Sequence, residues 1–485
     1  MNNQNNFIGK RGYSLYKDKL TSKQINKIKK DCMVKPFIPK SNIQIFTPSF
    51  PIYRESKLRL YVPRYYGIEH YGIVENNLSK GDKININFTG KLRDYQTNIV
   101  KKYVNYVGES GGGLLEVDTG LGKTVIALNI ISKIKYKTLI IVHKEFLMTQ
   151  WIERIEEFLP GTRVGKLQGK TIDIEDKDIV IGMLQSLSMK DYDNNLFSSF
   201  GLCIIDEVHH LGAEVFSQAL FKVVTNYTLG LSATMQRKDG LTKVFQMFMG
   251  NIIHTEKRDT SKANVLVQGI QYKVNDPDFN ETILDSRGNA QYSTMISKLC
   301  SYNRRSELII KIVDHLIKNG GDKRQIMILG HNKVLLHYLY DSLINKNIAN
   351  GSIGYYMGGM KQSQLKESET KQVIIGTYSM ASEGLDIKTL NTLIMATPKS
   401  DIVQTVGRIL RSDFHQPLVV DLIDSHDVFK RQYYTRNRFY KKQNYKVEKY
   451  TSDEYFEHSF KNINNNEDID EDEPDKGPGK CLIRI

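Results

Sequence analysis

The residues best suited to chemistry stand between Leu115 and Thr124, read Leu-Glu-Val-Asp-Thr-Gly-Leu-Gly-Lys-Thr. An apolar lead-in, a glycine-containing turn around Thr119 and Lys-Thr opening a helix are the layout of a phosphate-binding loop. Gly120 and Gly122 remove Cβ where the chain must bend tightly and approach a ligand. Amides from Gly122 to Thr124 would face phosphate oxygens at a helix start, where the dipole favours negative charge. Lys123 would reach the β- and γ-phosphates of a nucleoside triphosphate such as ATP, and the Thr124 hydroxyl would hold Mg²⁺. The full pattern G-x-x-x-x-G-K-[ST] asks for glycine at position 117, where the chain has Val117. Taken alone, the stretch also reads as a Gly-rich turn before an ordinary helix.

Further groups match this loop. Asp206 and Glu207 follow the apolar run Leu202 to Ile205, which reads as a buried strand. Asp206 would hold Mg²⁺, commonly through water, and Glu207 would orient and deprotonate an attacking water. His209 follows closely. Ser232-Ala233-Thr234, after the run Tyr227 to Leu231, places small hydroxyls where they could link a nucleotide site to a nucleic-acid path. The Gln96 amide can pair with N6 and N7 of adenine, although in isolation it is an exposed helix residue. Gln404 opens a helical segment with Arg408 and Arg411 at i, i+3 on one face. That is the geometry for meeting a γ-phosphate from a facing domain, and its bland alternative is two solvated arginines.

The elements that must position these groups alternate strand and helix. Thr138 to Val142, a helix over Glu145 to Leu159, Asp178 to Gly182, Leu202 to Ile205 and Tyr227 to Leu231 form one βα series. Gln325 to Leu329, a helix from Lys333, Ile353 to Tyr356, Gln372 to Gly376, Asn391 to Met395 and Leu418 to Leu422 form a second, without its own phosphate loop. Repeated βα units imply doubly wound parallel sheets with ligands at the strand carboxyl ends. The expected division is an N-terminal accessory domain of mixed α+β type over 1–90, lobe one over 91–260, a linker over 261–300, lobe two over 301–445 and a polar tail over 446–485. Within the first segment a helix over Ser22 to Lys30 and strands at Leu58 to Val62 and Ile84 to Phe88 are expected. That domain could grip a duplex or serve as scaffold.

Composition narrows the partners. The 485 residues carry a net charge of +14, which favours a polyanion such as nucleic acid, although Lys-rich surfaces also serve solubility. Residues 1–40 hold ten Lys/Arg against two acidic residues, whereas Glu467 to Asp475 is almost wholly acidic. That tail could be an interaction tail, but a solvated end is the better reading. Phe429 to Lys446 interleaves bases with aromatics and reads as a strand-gripping surface or, more simply, as a capping helix. No apolar run approaches the ~20 residues of a membrane span, and four scattered cysteines argue for a reducing intracellular setting rather than a disulfide framework.

The ordered set Leu92-Arg-Asp-Tyr-Gln96, Asp118 to Thr124, Asp206-Glu-Val-His209, Ser232-Ala-Thr234, Ser382-Glu-Gly-Leu-Asp386 and Gln404 to Arg411 resembles the motifs of superfamily 2 helicases over roughly residues 90–445. The resemblance implies two tandem RecA-like lobes with ATP between them. It implies that Gly384 and Asp386 contact nucleotide from lobe two, Arg408 and Arg411 contact the γ-phosphate, and His209, Ser232, Thr234 and Gln404 couple the lobes. Gly354 to Met360, Met380 to Asp386 and Pro398 to Asp401 are most similar to the transcript-release helicases of poxvirus type, near the XPB-like group. This narrower likeness implies DNA as the favoured track, with RNA left open, 3′→5′ polarity, transcription proteins as partners, and a viral setting in the host cytoplasm and virion.

Overall fold

The computed structural model describes residues 5–35, 48–193, 195–210, 213–235, 241–258, 264–320, 324–383, 387–409 and 416–457. Continuous apolar runs become strands buried on both faces, as parallel sheets demand. Ile179–Met183, Thr138–Val142 and Leu202–Ile205 are buried at every position. They lie side by side in an eight-stranded sheet ordered Thr171–Ile172, Val164–Gln168, Ile179–Met183, Thr138–Val142, Leu202–Ile205, Tyr227–Ser232, Gly112–Val117, Ile252–Glu256. Every pairing is parallel except the first. Side chains alternate between two cores: Leu139, Ile141, Cys203 and Ile205 join one, while Ile140, Val142, Leu202 and Ile204 join the other.

The second sheet has seven parallel strands ordered Ile353–Tyr356, Val373–Thr377, Ile326–Gly330, Thr392–Met395, Leu418–Asp424, Leu266–Tyr272, Lys446–Thr451. Two of these correct the sequence reading. Leu266–Tyr272 falls in the expected linker 261–300, yet it pairs along its whole length with Leu418–Asp424 and is almost wholly buried. Lys446–Thr451 falls in the expected polar tail and closes the sheet edge. Charged side chains are at home on an edge strand with one solvated side, so its polarity disguised it.

The N-terminal segment forms a small sheet ordered Arg54–Glu55, Arg59–Val62, Gly12–Tyr16, Phe7–Gly9, Glu75–Asn76, with a helix Ser22–Asp31 capped reciprocally by Thr21 and Gln24. Its apolar side chains do not close on themselves. Tyr13, Leu15, Ile28, Leu60 and Tyr66 share one continuous core with Phe216, Phe245 and Met249 of lobe one. Buried Arg64 fastens the two by donating from Nη1 to the carbonyls of Thr225 and Asn226. Ile84 to Phe88 is not a strand: Ile84 and Ile86 alternate inward against the lobe-one core, while backbone pairing is limited to a bridge between Lys83 and Tyr136.

The basic-aromatic stretch is the helix Asp427–Lys442, and it caps lobe two. Phe429, Tyr433, Arg436 and Tyr440 are buried. Arg436 meets Asp421 through two nitrogens at 2.8 Å each, Tyr440 donates to the same carboxylate at 3.0 Å, and Arg436 also donates to the Lys399 carbonyl. Breaking a buried charge pair strands the other charge. Arg436→Met should therefore lower unfolding free energy by about 3–5 kcal/mol in urea titration. The exposed Arg431→Ala on the same helix should change it by less than about 0.5 kcal/mol.

Candidate active site

The phosphate loop leaves the sheet one residue later than the full motif would have it. Val117 is still paired as strand, opposite Glu256, and is fully buried. An extended residue needs no glycine, which accounts for the departure. Tight turning begins beyond it, with Gly120 at φ +86° and Gly122 at φ +83°, and the helix Lys123–Ile134 starts directly after. Gly122 has a second reason to lack a side chain: a Cβ there would sit 2.5 Å from Nε2 of Gln96.

Gln96 is thus built into the loop. Its Nε2 donates to the Leu121 carbonyl at 2.9 Å, and its Oε1 accepts from the Arg93 amide at 3.0 Å. Tyr95, which the sequence places in the Leu92 to Gln96 motif without a role of its own, donates from its hydroxyl to the same Leu121 carbonyl at 3.0 Å. One amide hydrogen and one carbonyl lone pair of Gln96 are left over, the complement of adenine N7 and N6.

Asp206 and Glu207 follow the strand Leu202–Ile205, and Glu207 meets the first residue of the helix after the loop. Lys123 Nζ lies 2.7 Å from Glu207 Oε1, with both side chains largely buried. Glu207 adopts φ +50°, rare for a residue with a side chain, and its amide donates to Asp206 Oδ1 at 3.0 Å. The other oxygen, Oδ2, accepts from the indole N–H of Trp151 at 3.0 Å. Burial, and then the adjacent Glu207 carboxylate, push the Asp206 carboxyl above its ordinary range, against the pull of Lys123 and Trp151. Trp151 is the chain's single tryptophan. On the helix Glu145–Phe158 it shares a buried face with Leu147, Met148 and Ile155, so its spacing reads as core and hides the polar contact.

A polar chain leads away from Glu207. His209 Nδ1 stands 3.3 Å from Glu207 Oε2 and 2.6 Å from Ser232 Oγ. The serine hydroxyl has one proton and gives it to the Thr234 carbonyl. It must therefore accept from His209, which fixes the ring proton on Nδ1, and it accepts from the Thr234 amide as well. The structure thus brings Lys123, Asp206, Glu207, His209, Ser232 and Thr234 into one connected cluster.

Thr119 lies where lobe two arrives. A Cβ placed on Gly407, in the helix Val403–Ile409, would meet Thr119 Cβ at 3.6 Å. This helix carries the backbone of Gln404 and Arg408, whose side chains lie outside the described set, as do Gly384, Asp386 and Arg411. A second bridge joins Lys366 Nζ to Glu153 Oε1 at 2.6 Å. Thr124 stands in the first turn of the loop helix. Among the described residues no three His, Cys, Asp or Glu side chains converge on a metal position. The donors available for Mg²⁺ are one hydroxyl and one buried carboxylate, the sparse set this ion takes alongside nucleotide phosphates. The residues fit an ATP–Mg²⁺ site. No helix among the described residues is long and apolar enough to cross a membrane.

Comparison with known proteins agrees with this arrangement. The family described as "Type III restriction enzyme, res subunit" matches residues 89–237, and "Helicase conserved C-terminal domain" matches residues 307–413. A protein of Acanthamoeba polyphaga mimivirus, "Putative ATP-dependent RNA helicase L396", is 36% identical over 484 residues, covering 96% of this chain and 91% of the relative. "Putative ATP-dependent RNA helicase QP509L" of African swine fever virus is 29% identical over 380 residues, covering 73% and 74%. Among solved structures, "S. cerevisiae Dbp5 bound to RNA and ADP BeF3" superposes with a TM-score of 0.53 at 12% identity, over 74% of this chain and 91% of that one; it shares the fold. With a phosphate loop in lobe one, paired carboxylates beside it and a facing lobe that brings a helix to Thr119, the chain belongs to the superfamily 2 helicases and is an ATP-hydrolysing enzyme of that family.

Proposed function

We propose that this chain is a nucleic-acid motor that moves along DNA and unwinds it. The observation that carries the reading is the Lys123–Glu207 ion pair, with Thr119 of the same loop against the Gly407 helix of lobe two. When ATP binds, Lys123 exchanges the Glu207 carboxylate for the γ-phosphate, which frees Glu207 to act. Glu207 then takes a proton from water as its oxygen attacks the γ-phosphorus and the bond to the β–γ bridging oxygen breaks. Thr124 and Asp206 would hold Mg²⁺, which would supply neutralisation of phosphate charge. Gly120 and Gly122 supply the close backbone approach, Thr119 and Gln96 border the nucleotide, and Gly384 and Asp386 meet it from lobe two. Arg408 and Arg411 offset charge developing on the transferred phosphoryl group. His209, Ser232, Thr234 and Gln404 relay lobe closure to the strand, and alternating closure steps the lobes along phosphates with little sequence preference.

The run Gly354 to Met360 and the Gln404 motif support the narrower assignment to transcript-release helicases of large DNA viruses, with 3′→5′ polarity. The named relatives support a second reading, in which RNA is the track.

The test is ATP hydrolysis without polynucleotide and with single-stranded DNA, duplex DNA or RNA, followed by displacement from substrates with a 3′ or a 5′ overhang. Stimulation by DNA and displacement from the 3′ overhang are expected; stimulation by RNA alone would replace DNA with RNA as the track. Lys123→Ala and Glu207→Gln should each lower turnover by a factor on the order of 10³ or more, and only Glu207→Gln should still bind ATP. Normal turnover in Glu207→Gln would sink its role as base. At the lobe contact, Gly407→Ala should stay within about twofold of wild type, since 3.6 Å is ordinary contact. Gly407→Leu should wedge the lobes apart and lower stimulated turnover by roughly tenfold or more.

A further inference from the structure

The geometry points to Trp151 as a positioning residue for the metal-holding carboxylate, a reading that rests on the ATP–Mg²⁺ site proposed above. Asp206 is a buried carboxylate whose two oxygens each take one N–H: Oδ1 from the Glu207 amide and Oδ2 from the Trp151 indole. Donors on both oxygens fix the rotation of the carboxylate plane. The backbone donor belongs to the residue next to Asp206 in the chain, whereas the indole comes from a separate helix. Trp151 is 2% exposed and packed in the core with Leu147, Met148 and Ile155. An apolar residue of similar volume would fill that core equally well, so the N–H adds something packing does not require. It leaves lone pairs on Oδ1 and Oδ2 for a hydrated cation while keeping them aimed. The same helix bears Glu153, two residues further on, which meets Lys366 of lobe two. The element orienting Asp206 is therefore also one that lobe two touches.

With one tryptophan in the chain, feeding a tryptophan auxotroph with benzothienylalanine replaces this N–H by sulfur in a bicyclic ring of similar shape. ADP binding would be measured by calorimetry with and without Mg²⁺, and ATP turnover followed across a Mg²⁺ titration. In the sulfur-substituted full chain, ADP affinity without Mg²⁺ should stay within about twofold, while the gain from Mg²⁺ falls roughly tenfold, the size of one hydrogen bond to a charged group. The Mg²⁺ concentration for half-maximal turnover should rise by a similar factor, with KM for ATP at saturating Mg²⁺ nearly unchanged. A purely structural tryptophan would not split these quantities. 5-Fluorotryptophan, which keeps the N–H, should behave as wild type. Trp151→Phe, which also lacks the donor, should show the same Mg²⁺ shift even if its melting temperature falls. An unaltered Mg²⁺ response in both the sulfur and phenylalanine proteins would overturn the proposal while leaving the ATPase reading intact. If wild type itself shows no Mg²⁺-linked ADP binding, the nucleotide-site reading fails and takes this one with it.

Discussion

The contact on which the site depends is the ion pair between Lys123 and Glu207, two largely buried side chains 84 positions apart in sequence and 2.7 Å apart in space. Each is costly to bury alone, because an unpaired charge away from water loses its hydration without return. Lys123 is delivered by the loop after one strand and Glu207 by the turn after another. The pair therefore requires both strands to end at the same height in one sheet. That requirement is met by the parallel order, in which Tyr227–Ser232 sits directly between Leu202–Ile205 and Gly112–Val117. The same intervening strand ends in Ser232, which puts the hydroxyl accepting from His209 beside the pair. Strand order and chemistry are thus one constraint.

The cluster is held in an arrangement that other ligands can disturb. Lys123 pairs with Glu207, the carboxylate proposed above as the base. Glu207 keeps a left-handed backbone conformation costing on the order of 1 kcal/mol or more, offset by the bonds its amide makes to Asp206 and its carboxylate to Lys123. A phosphate competing for Lys123 removes one of those contacts and alters the balance at the others. The remaining links run through His209 to Ser232 and Thr234, toward the backbone that Met235 continues by donating to Glu116.

Much of this was legible in the sequence because parallel strands announce themselves. Thr138–Val142, Leu202–Ile205 and Ile353–Tyr356 begin and end where their apolar runs do. The Asp206–Glu207 pair stands directly beyond one such run, which marks the chemistry there. The misses have physical causes. Leu266–Tyr272 is interrupted by Gln268, Gly269 and Gln271, which weakens the apolar signal, although Gln268 is buried and accepts from the Tyr455 hydroxyl. Lys446–Thr451 is an edge strand and polar for that reason. Ile84 to Phe88 alternates as a strand would, but alternation records only which side chains turn inward, and a chain lying along a core edge needs the same pattern without the ladder. Trp151 was hidden because burial and periodicity describe its ring and say nothing of its N–H.

The distribution of charge makes a related point about reading a basic chain. A net charge of +14 suggests a surface made for polyanions, yet several of the cations are not on the surface. Arg305 is fully buried, held by Asp424 through two nitrogens and by the Ala396 carbonyl. Arg436 is spent on Asp421 and Arg64 on backbone carbonyls of lobe one. These three fasten the strand Leu418–Asp424 and the N-terminal segment, and none is free to meet a phosphate. What faces solvent on the helix Asp427–Lys442 is instead Lys430, Arg431, Arg438, Lys441 and Lys442 around the half-exposed Tyr434. One helix thus divides its bases by face, Arg436 inward as mortar and the rest outward as field. A buried ion pair is close to neutral beyond a Debye length of about 8 Å at physiological salt, so the field around this helix comes from the outward set.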